Sequence, residues 1–145
     1  MNKKESALMN LKKNFNCAQS IFCTFAEDVG IEKETALKVS ACFGGGMKCG
    51  EVCGAVTGAL MAIGMKYGSS IECDETAQYL AYQKEIELIN RFREKHGALL
   101  CRELFGYDTS NPEEMKKAIQ EGLPITVCAK VIVNTVEIAE ELLEA

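Results

Sequence analysis

The sequence predicts an all-α fold, a single-domain bundle of about six to seven helices. Apolar residues recur at spacings of three and four over long segments, no alternating strand pattern of useful length occurs, and only two prolines interrupt the chain. The 145 residues are 48% hydrophobic and 26% charged, which is the composition of an ordinary globular domain. We therefore expect residues 1–145 to fold as one domain around a substantial apolar core.

Three helices are predicted in the first half of the chain. The first runs from about Glu5 to Asp28, and Gly30 follows it as a C-terminal stop. The second covers about Lys33 to Phe43, and the third about Val52 to Lys66. The near-apolar stretch inside the third helix is too short to span a bilayer, which favours a buried helix. The apolar stripe of the first helix consists of Ala18, Ile21, Phe22, Phe25 and Val29.

Four more helices are predicted in the second half. They are a long amphipathic helix from about Glu75 to Lys95, a short one from Ala98 to Phe105, one that begins with Asn111 as cap and Pro112 in its first turn, and a last one that begins at Pro124. The stripe of the long helix is Tyr79, Tyr82, Ile86 and Ile89. The inward stripe of the last helix is Ile125, Cys128, Ala129, Ile132, Val136, Ala139 and Leu143, opposite a face of Lys130, Asn134, Glu137, Glu141 and Glu144.

Charge and the N-terminal segment limit the function classes. Sixteen basic against 21 acidic residues give a net charge of −5, which argues against binding to nucleic acid or to anionic membranes. The N-terminal segment contains lysines without a following apolar region, so it does not have the pattern of a secretory signal. We expect a cytoplasmic protein without membrane insertion, where clustered cysteines are typical of metal ligands or redox thiols.

Small residues form one face of the third predicted helix. This face combines Gly54 and Gly58 with three alanines, and it permits either close packing of a second helix or close approach of a bulky cofactor. The preceding run of Gly44, Gly45 and Gly46 matches no nucleotide-binding motif. Backbone flexibility around a site is the simpler explanation of that run.

The eight cysteines are the most informative residues. No CxxC pair occurs, which argues against a thioredoxin-like site and against zinc sites built on CxxC hairpins. Helix faces direct Cys17, Cys101 and Cys128 inward, and Cys53 begins the third helix, where backbone N–H groups and the helix dipole stabilise a thiolate. Four such thiolates are satisfied around a soft metal or an iron–sulfur unit, whereas each cysteine alone is also explained by packing. We interpret Cys23, Cys42 and Cys73 as packing residues. Three interpretations of Cys49 stay open: a fifth ligand, a resolving thiol or a residue without a role.

The ordered motifs resemble the redox-active family named after its signature C_GCAxxG_C_C. The resemblance includes Asn16-Cys17-Ala18-Gln19, Phe43 to Met47, Cys53 to Gly64, Cys101-Arg102-Glu103-Leu104 and finally Cys128. It implies that the family's four signature cysteines are Cys17, Cys53, Cys101 and Cys128, although here Val52 stands where the signature has glycine. The family is also similar to the non-haem part of split-Soret cytochromes, in which four cysteines hold an iron–sulfur cluster. The resemblance therefore implies a [2Fe-2S] centre.

The resulting hypothesis is an electron-transfer protein, rather than an enzyme with its own substrate, that holds a [2Fe-2S] cluster and serves an unidentified redox partner protein. Three alternatives stay open. One is a thiol–disulfide enzyme that uses Cys53 as nucleophile with Cys49 or Cys17. The second is a structural zinc protein with four cysteine ligands. The third is a bundle that only buries its cysteines, and in each case the long apolar helices are compatible with a helix-mediated homodimer.

Overall fold

Eight α-helices make up the computed structural model, which describes residues 1–144. They are α1 Lys3–Lys12, α2 Cys17–Phe25, α3 Lys33–Val39, α4 Gly54–Tyr67, α5 Glu75–His96, α6 Cys101–Phe105, α7 Pro112–Gln120 and α8 Leu123–Glu144. Within the described residues, the only β-type pairing is one isolated antiparallel bridge between Val52 and Leu100. The predicted all-α class is confirmed.

The first predicted helix, Glu5 to Asp28, is wrong as a single element, because it is divided into α1 and α2. Asn14 adopts a left-handed conformation (φ 74°), which ends α1. Asn16 then caps α2: its side-chain oxygen accepts from the Gln19 N–H at 2.9 Å, and the Gln19 side chain accepts from the Asn16 N–H at 3.0 Å. This reciprocal capping box satisfies two backbone donors and fixes a new helix start.

Other helix boundaries move for local reasons. The second predicted helix ends at Val39 instead of Phe43, where the Ser40 hydroxyl donates to the Ala36 carbonyl oxygen at 2.7 Å. The helix predicted from Ala98 begins at Cys101, because the residues before it are extended and pair with the segment around Val52. Asn111 caps α7 as predicted, accepting from the N–H groups of Glu113 and Glu114.

The core lies between α2, α4 and α8, with α1 and α5 packed against it. Phe22 and Phe25 from α2, Ile63 from α4, and Ile132 and Val136 from α8 are buried there, as their helical spacing predicts. Burial of each such side chain contributes about 1.5–3 kcal/mol, so this cluster fixes the positions of the three helices. Among residues 1–144 no single helix is long and apolar enough to cross a bilayer; α7 and α8 meet those criteria only together, across an 81° bend.

The predicted inward stripes of α5 and α8 need correction. Tyr79, Tyr82 and Ile86 on α5 are 67%, 52% and 52% exposed, whereas Leu88 and Phe92 are fully buried. These two sets lie about 130° apart around the helix, so α5 has two apolar faces. The core covers the face that contains Leu88 and Phe92. On α8, Ile125 is 75% exposed because it stands in the first turn, at the edge of a cavity beside the core.

Candidate functional site

Four cysteines from four parts of the chain border one cavity of about 550 Å³. Cys17 begins α2, Cys53 immediately precedes α4, Cys101 begins α6, and Cys128 lies in the second turn of α8. The structure thus brings together the four cysteines that the sequence singles out. The cavity volume lies within the range of small-molecule and cofactor sites.

A short pairing of extended segments places Cys53 beside Cys101. The Cys53 N–H donates to the Leu99 carbonyl oxygen at 2.9 Å, and the Cys101 N–H donates to the Glu51 carbonyl oxygen at 2.6 Å. The two bonds flank the Val52–Leu100 bridge and hold both cysteines at the starts of their helices. Pairing between distant segments leaves no periodic signal in the sequence, so this link was not predictable from it.

Close packing of α4 against α2 places Cys17. A Cβ atom added at Gly54 would lie 3.2 Å from the Cys17 Cβ, and one added at Gly58 would lie 2.6 Å from the Ala18 carbonyl oxygen. Of the two explanations for the small-residue face, helix packing is therefore the one that the structure supports. The same packing brings α2, and with it Cys17, to the cavity wall.

The thiols of Cys17 and Cys128 interact as a pair, and the interaction shifts their two pKa values in opposite directions. Donation from the Cys17 thiol lowers the pKa of Cys128, although partial burial opposes it. The same hydrogen bond, followed by burial, raises the pKa of Cys17 well above its ordinary value. When the pair loses one proton, Cys128 therefore becomes the thiolate, and the Cys17 thiol stabilises it as a hydrogen-bond donor.

The expectation of an acidic Cys53 at a helix start is wrong. Burial raises the pKa of Cys53 to about 12, and hydrogen bonding by the backbone N–H groups of Ala55 and Val56 offsets only part of that effect. Burial also raises the pKa of Cys101, and the positive charge of Lys48 opposes this rise only in part. Desolvation outweighs helix-start stabilisation at both sites, so both thiols keep their protons at neutral pH in the absence of a cation.

The glycine-rich loop lies at the cavity as an ordered left-handed turn. Gly45, Gly46, Met47 and Lys48 all have φ values near 60°. A Cβ at Gly46 would lie 2.4 Å from the Glu51 nitrogen, so glycine is required there. Gly45 and Lys48 line the cavity, as does Thr109, whose hydroxyl donates to the Gly45 carbonyl oxygen at 3.1 Å. Thr109 and Lys48 stand in loops without periodicity, which is why sequence analysis did not single them out.

The remaining cysteines lie away from this cavity. Cys23 is buried on α2, in agreement with a packing role, but Cys42 and Cys73 are exposed, so packing does not explain them. Cys49 is also exposed, and its thiol donates to the Met47 carbonyl oxygen at 3.3 Å. Because Cys49 is not part of the cavity lining, it is poorly placed as the resolving partner of Cys53.

The thiols surround a space and do not meet at one point. Within residues 1–144, no three His, Cys, Asp or Glu side chains are grouped so as to hold a single metal ion. The lining is largely apolar, and its charged residues are Lys12 and Lys48. His96, the single histidine, lies elsewhere: its ring centroid is 4.5 Å from that of Phe92, and its Nε2 is 3.5 Å from the Asn134 side-chain nitrogen.

Comparison with known proteins places this site in a family. No curated protein and no solved structure matches the chain. The family model described as "Putative redox-active protein (C_GCAxxG_C_C)" matches residues 15–142, a span that contains the cavity cysteines. The resemblance predicted from the motifs is confirmed, and the chain belongs to the C_GCAxxG_C_C family of cysteine-rich, redox-active proteins.

Proposed function

We propose that this protein carries an iron–sulfur cluster, a [2Fe-2S] centre ligated by Cys17, Cys53, Cys101 and Cys128, and that it transfers single electrons to and from a partner redox protein. The observation that carries the proposal is the common cavity bordered by these four thiols. Thiolates are the standard ligands of such clusters, and four per cluster is the standard number. All eight cysteines are free, which suits the reducing cytoplasm predicted from the sequence.

The donor set fits a cluster better than a single zinc ion. Tetrahedral zinc requires four sulfurs about 2.3 Å from one point, whereas these thiols are distributed around a space. A cluster also satisfies the buried cysteines, since a thiolate without a cation is costly in an apolar site. Ligation by the whole set releases the protons that burial retains on Cys53 and Cys101, and the proton that Cys17 retains through its interaction with Cys128 and through burial.

The surrounding residues support the redox role. When bound, the cluster accepts and donates one electron. Hydrogen bonding by the backbone N–H groups of Ala55 and Val56 opposes the rise in the pKa of Cys53. Hydrogen bonds to ligand sulfurs withdraw negative charge and favour the reduced form. Lys48 adds positive charge near Cys101, while apolar side chains such as Leu104 and Val127 line the cavity and limit contact with water.

Purification without oxygen tests the proposal directly. The protein should be reddish-brown, lose visible absorption on addition of dithionite, and contain iron and sulfide in about equal amounts. Single changes to serine at each of the four cavity cysteines should abolish the colour. Cys23→Ser is the matched control, because Cys23 lies on the same helix as Cys17 and is equally buried, but outside the cavity lining. A colourless wild-type protein, or equal loss of colour with Cys23→Ser, would overturn the proposal, and about one zinc per chain would favour the structural zinc site.

A second candidate function is thiol–disulfide exchange, which the pairing of Cys17 and Cys128 at the cavity favours, because the pKa of Cys128 is lowered while that of Cys17 is raised. The Cys128 thiolate would attack one sulfur of a disulfide substrate and expel the other sulfur as a thiolate. The Cys17 thiol would give its proton to that departing thiolate, and the Cys17 thiolate would then attack the Cys128 sulfur of the mixed disulfide. This step releases the second substrate sulfur as a thiolate and leaves Cys17 and Cys128 oxidised by two electrons. A colourless, metal-free protein in which diamide forms a Cys17–Cys128 disulfide, located by peptide mass spectrometry, would support this function over cluster binding.

A further inference from the structure

The outer side of α5 carries an apolar surface that nothing in the described chain covers. Tyr79, Tyr82 and Ile86 are exposed there, and half-buried Ile89 continues the row. Glu75 and Arg93 lie at its two ends, on the same side of the helix. At 100° per residue, all six side chains fall within about 80° of one another. These residues are called the α5 face below.

We infer that the α5 face binds the α5 face of a second copy of this chain, with the two helices antiparallel. Around a twofold axis at residue 84, Tyr82 stands opposite Ile86 of the partner subunit, and Tyr79 opposite Ile89 of the partner subunit. In the same register Glu75 stands opposite Arg93 of the partner subunit. Each apolar residue of the face therefore lies opposite an apolar residue, and the acid lies opposite the base. The twofold axis makes each of these pairs occur twice in the dimer.

The two charges at the ends of the face are available for this pairing. Neither Glu75 nor Arg93 forms an ion pair with another residue of the described chain, and both are exposed. By contrast, Arg91 on a different side of α5 is paired with Glu141. Lys84, also away from the face, lies over the Tyr67 ring.

Other arrangements lose the match. A shift of one helical turn puts Arg93 opposite Tyr79, or Glu75 opposite Ile89, depending on its direction. A parallel pair sets Glu75 against Glu75 and Arg93 against Arg93, and like charges across an interface are unfavourable. The 22 residues of α5 extend over about 33 Å. One helix pair of this length gives an interface at the small end of specific ones, so the dimer should dissociate on dilution.

Analytical ultracentrifugation of the full chain, with a reductant present to prevent disulfides through the exposed cysteines, tests the inference. Wild type should pass from monomer to dimer as concentration rises, and Ile86→Glu should remain monomeric. Leu80→Glu is the matched control, because Leu80 is 44% exposed on the same helix but about 140° from the centre of the face. Circular dichroism checks that both variants keep their helices. A wild type that stays monomeric, or an Ile86→Glu variant that still dimerises, would overturn the inference.

Charge reversal tests the antiparallel register separately. Glu75→Arg and Arg93→Glu should each raise the dissociation constant several-fold at low ionic strength, because each places like charges together twice in the dimer. The double variant E75R/R93E should recover most of the wild-type affinity, since the reversed pairs attract again. A double variant as weak as either single variant would show that these residues do not face one another.

Discussion

Gly58 on α4 lies so close to α2 that a Cβ atom at this position would stand 2.6 Å from the Ala18 carbonyl oxygen. The obstacle is backbone, so any side chain at residue 58 would force the two helices apart. Because Cys17 is the neighbour of Ala18, this contact also determines where one of the cavity thiols stands relative to α4.

Two glycines of α4 should therefore respond in opposite ways to the same substitution. Gly58→Ala should lower the free energy of unfolding by about 1–3 kcal/mol, the usual cost of overpacking. Gly64→Ala should raise it by about 1 kcal/mol, because no atom lies within 4 Å of an added Cβ and alanine is the better helix former. Urea denaturation of both variants measures the difference. Changes of the same sign would contradict the packing described for α2 and α4.

Lys48 should be a site of backbone strain at the cavity. It is exposed and adopts φ 59° and ψ 15°, a left-handed conformation that costs a residue other than glycine about 1–2 kcal/mol. After the entropic cost of glycine, Lys48→Gly should raise the free energy of unfolding by about 0.5–1 kcal/mol. Lys48→Ala serves as the control, because it removes the charge but keeps the strain. Equal stabilisation by both variants would assign the effect to charge instead of conformation.

The cores of the helices could be predicted from spacing, whereas several of their ends could not. The stripe that contains Ile21, Phe22 and Phe25 is buried because a 3.6-residue period places these side chains on one side. The break before α2 was present in the sequence as Asn16 followed three residues later by Gln19, but continued apolar spacing obscured it. On α5, spacing identified an apolar stripe correctly but not which of two apolar faces the core would cover.

The site shows the same division between local and tertiary information. Helix faces predict that Cys17 and Cys101 point inward, and both are buried at the cavity. The pKa of Cys53 depends on burial, which the neighbouring sequence does not reveal. The local rule that a helix start stabilises a thiolate therefore predicted a lowered pKa, whereas the pKa is raised. The Thr109 hydroxyl donates to the Gly45 carbonyl oxygen, and this bond between two loops at the cavity arises through the fold alone.

Replacement of Thr135 on α8 by an apolar residue of the same shape should stabilise the protein. The Thr135 hydroxyl is fully buried and has no hydrogen-bond partner within the described structure. Thr135→Val keeps the shape and removes the unsatisfied group, so the free energy of unfolding should rise by about 1 kcal/mol. Thr57→Val is the control, because the Thr57 hydroxyl donates to the Gly54 carbonyl oxygen at 3.1 Å and its loss should not stabilise the protein. Equal stabilisation by both changes would contradict the assignment of an unsatisfied Thr135.

Alkylation of the metal-free protein should separate the cysteines by accessibility. The exposed ones, which should react with N-ethylmaleimide first, are Cys42, Cys49 and Cys73. The buried ones, which need local opening and should react last, are Cys17, Cys23, Cys53 and Cys101. Half-buried Cys128 should fall between these groups, and a time course read by peptide mass spectrometry measures the order.

Loading with iron and sulfide should then slow the alkylation of the four cavity cysteines further and leave that of Cys23 unchanged, because only Cys23 among the buried thiols lies outside the cavity lining. Rapid labelling of Cys53 in the metal-free protein would contradict its buried position, and protection of Cys23 on loading would show that the effect is general tightening of the fold instead of ligation.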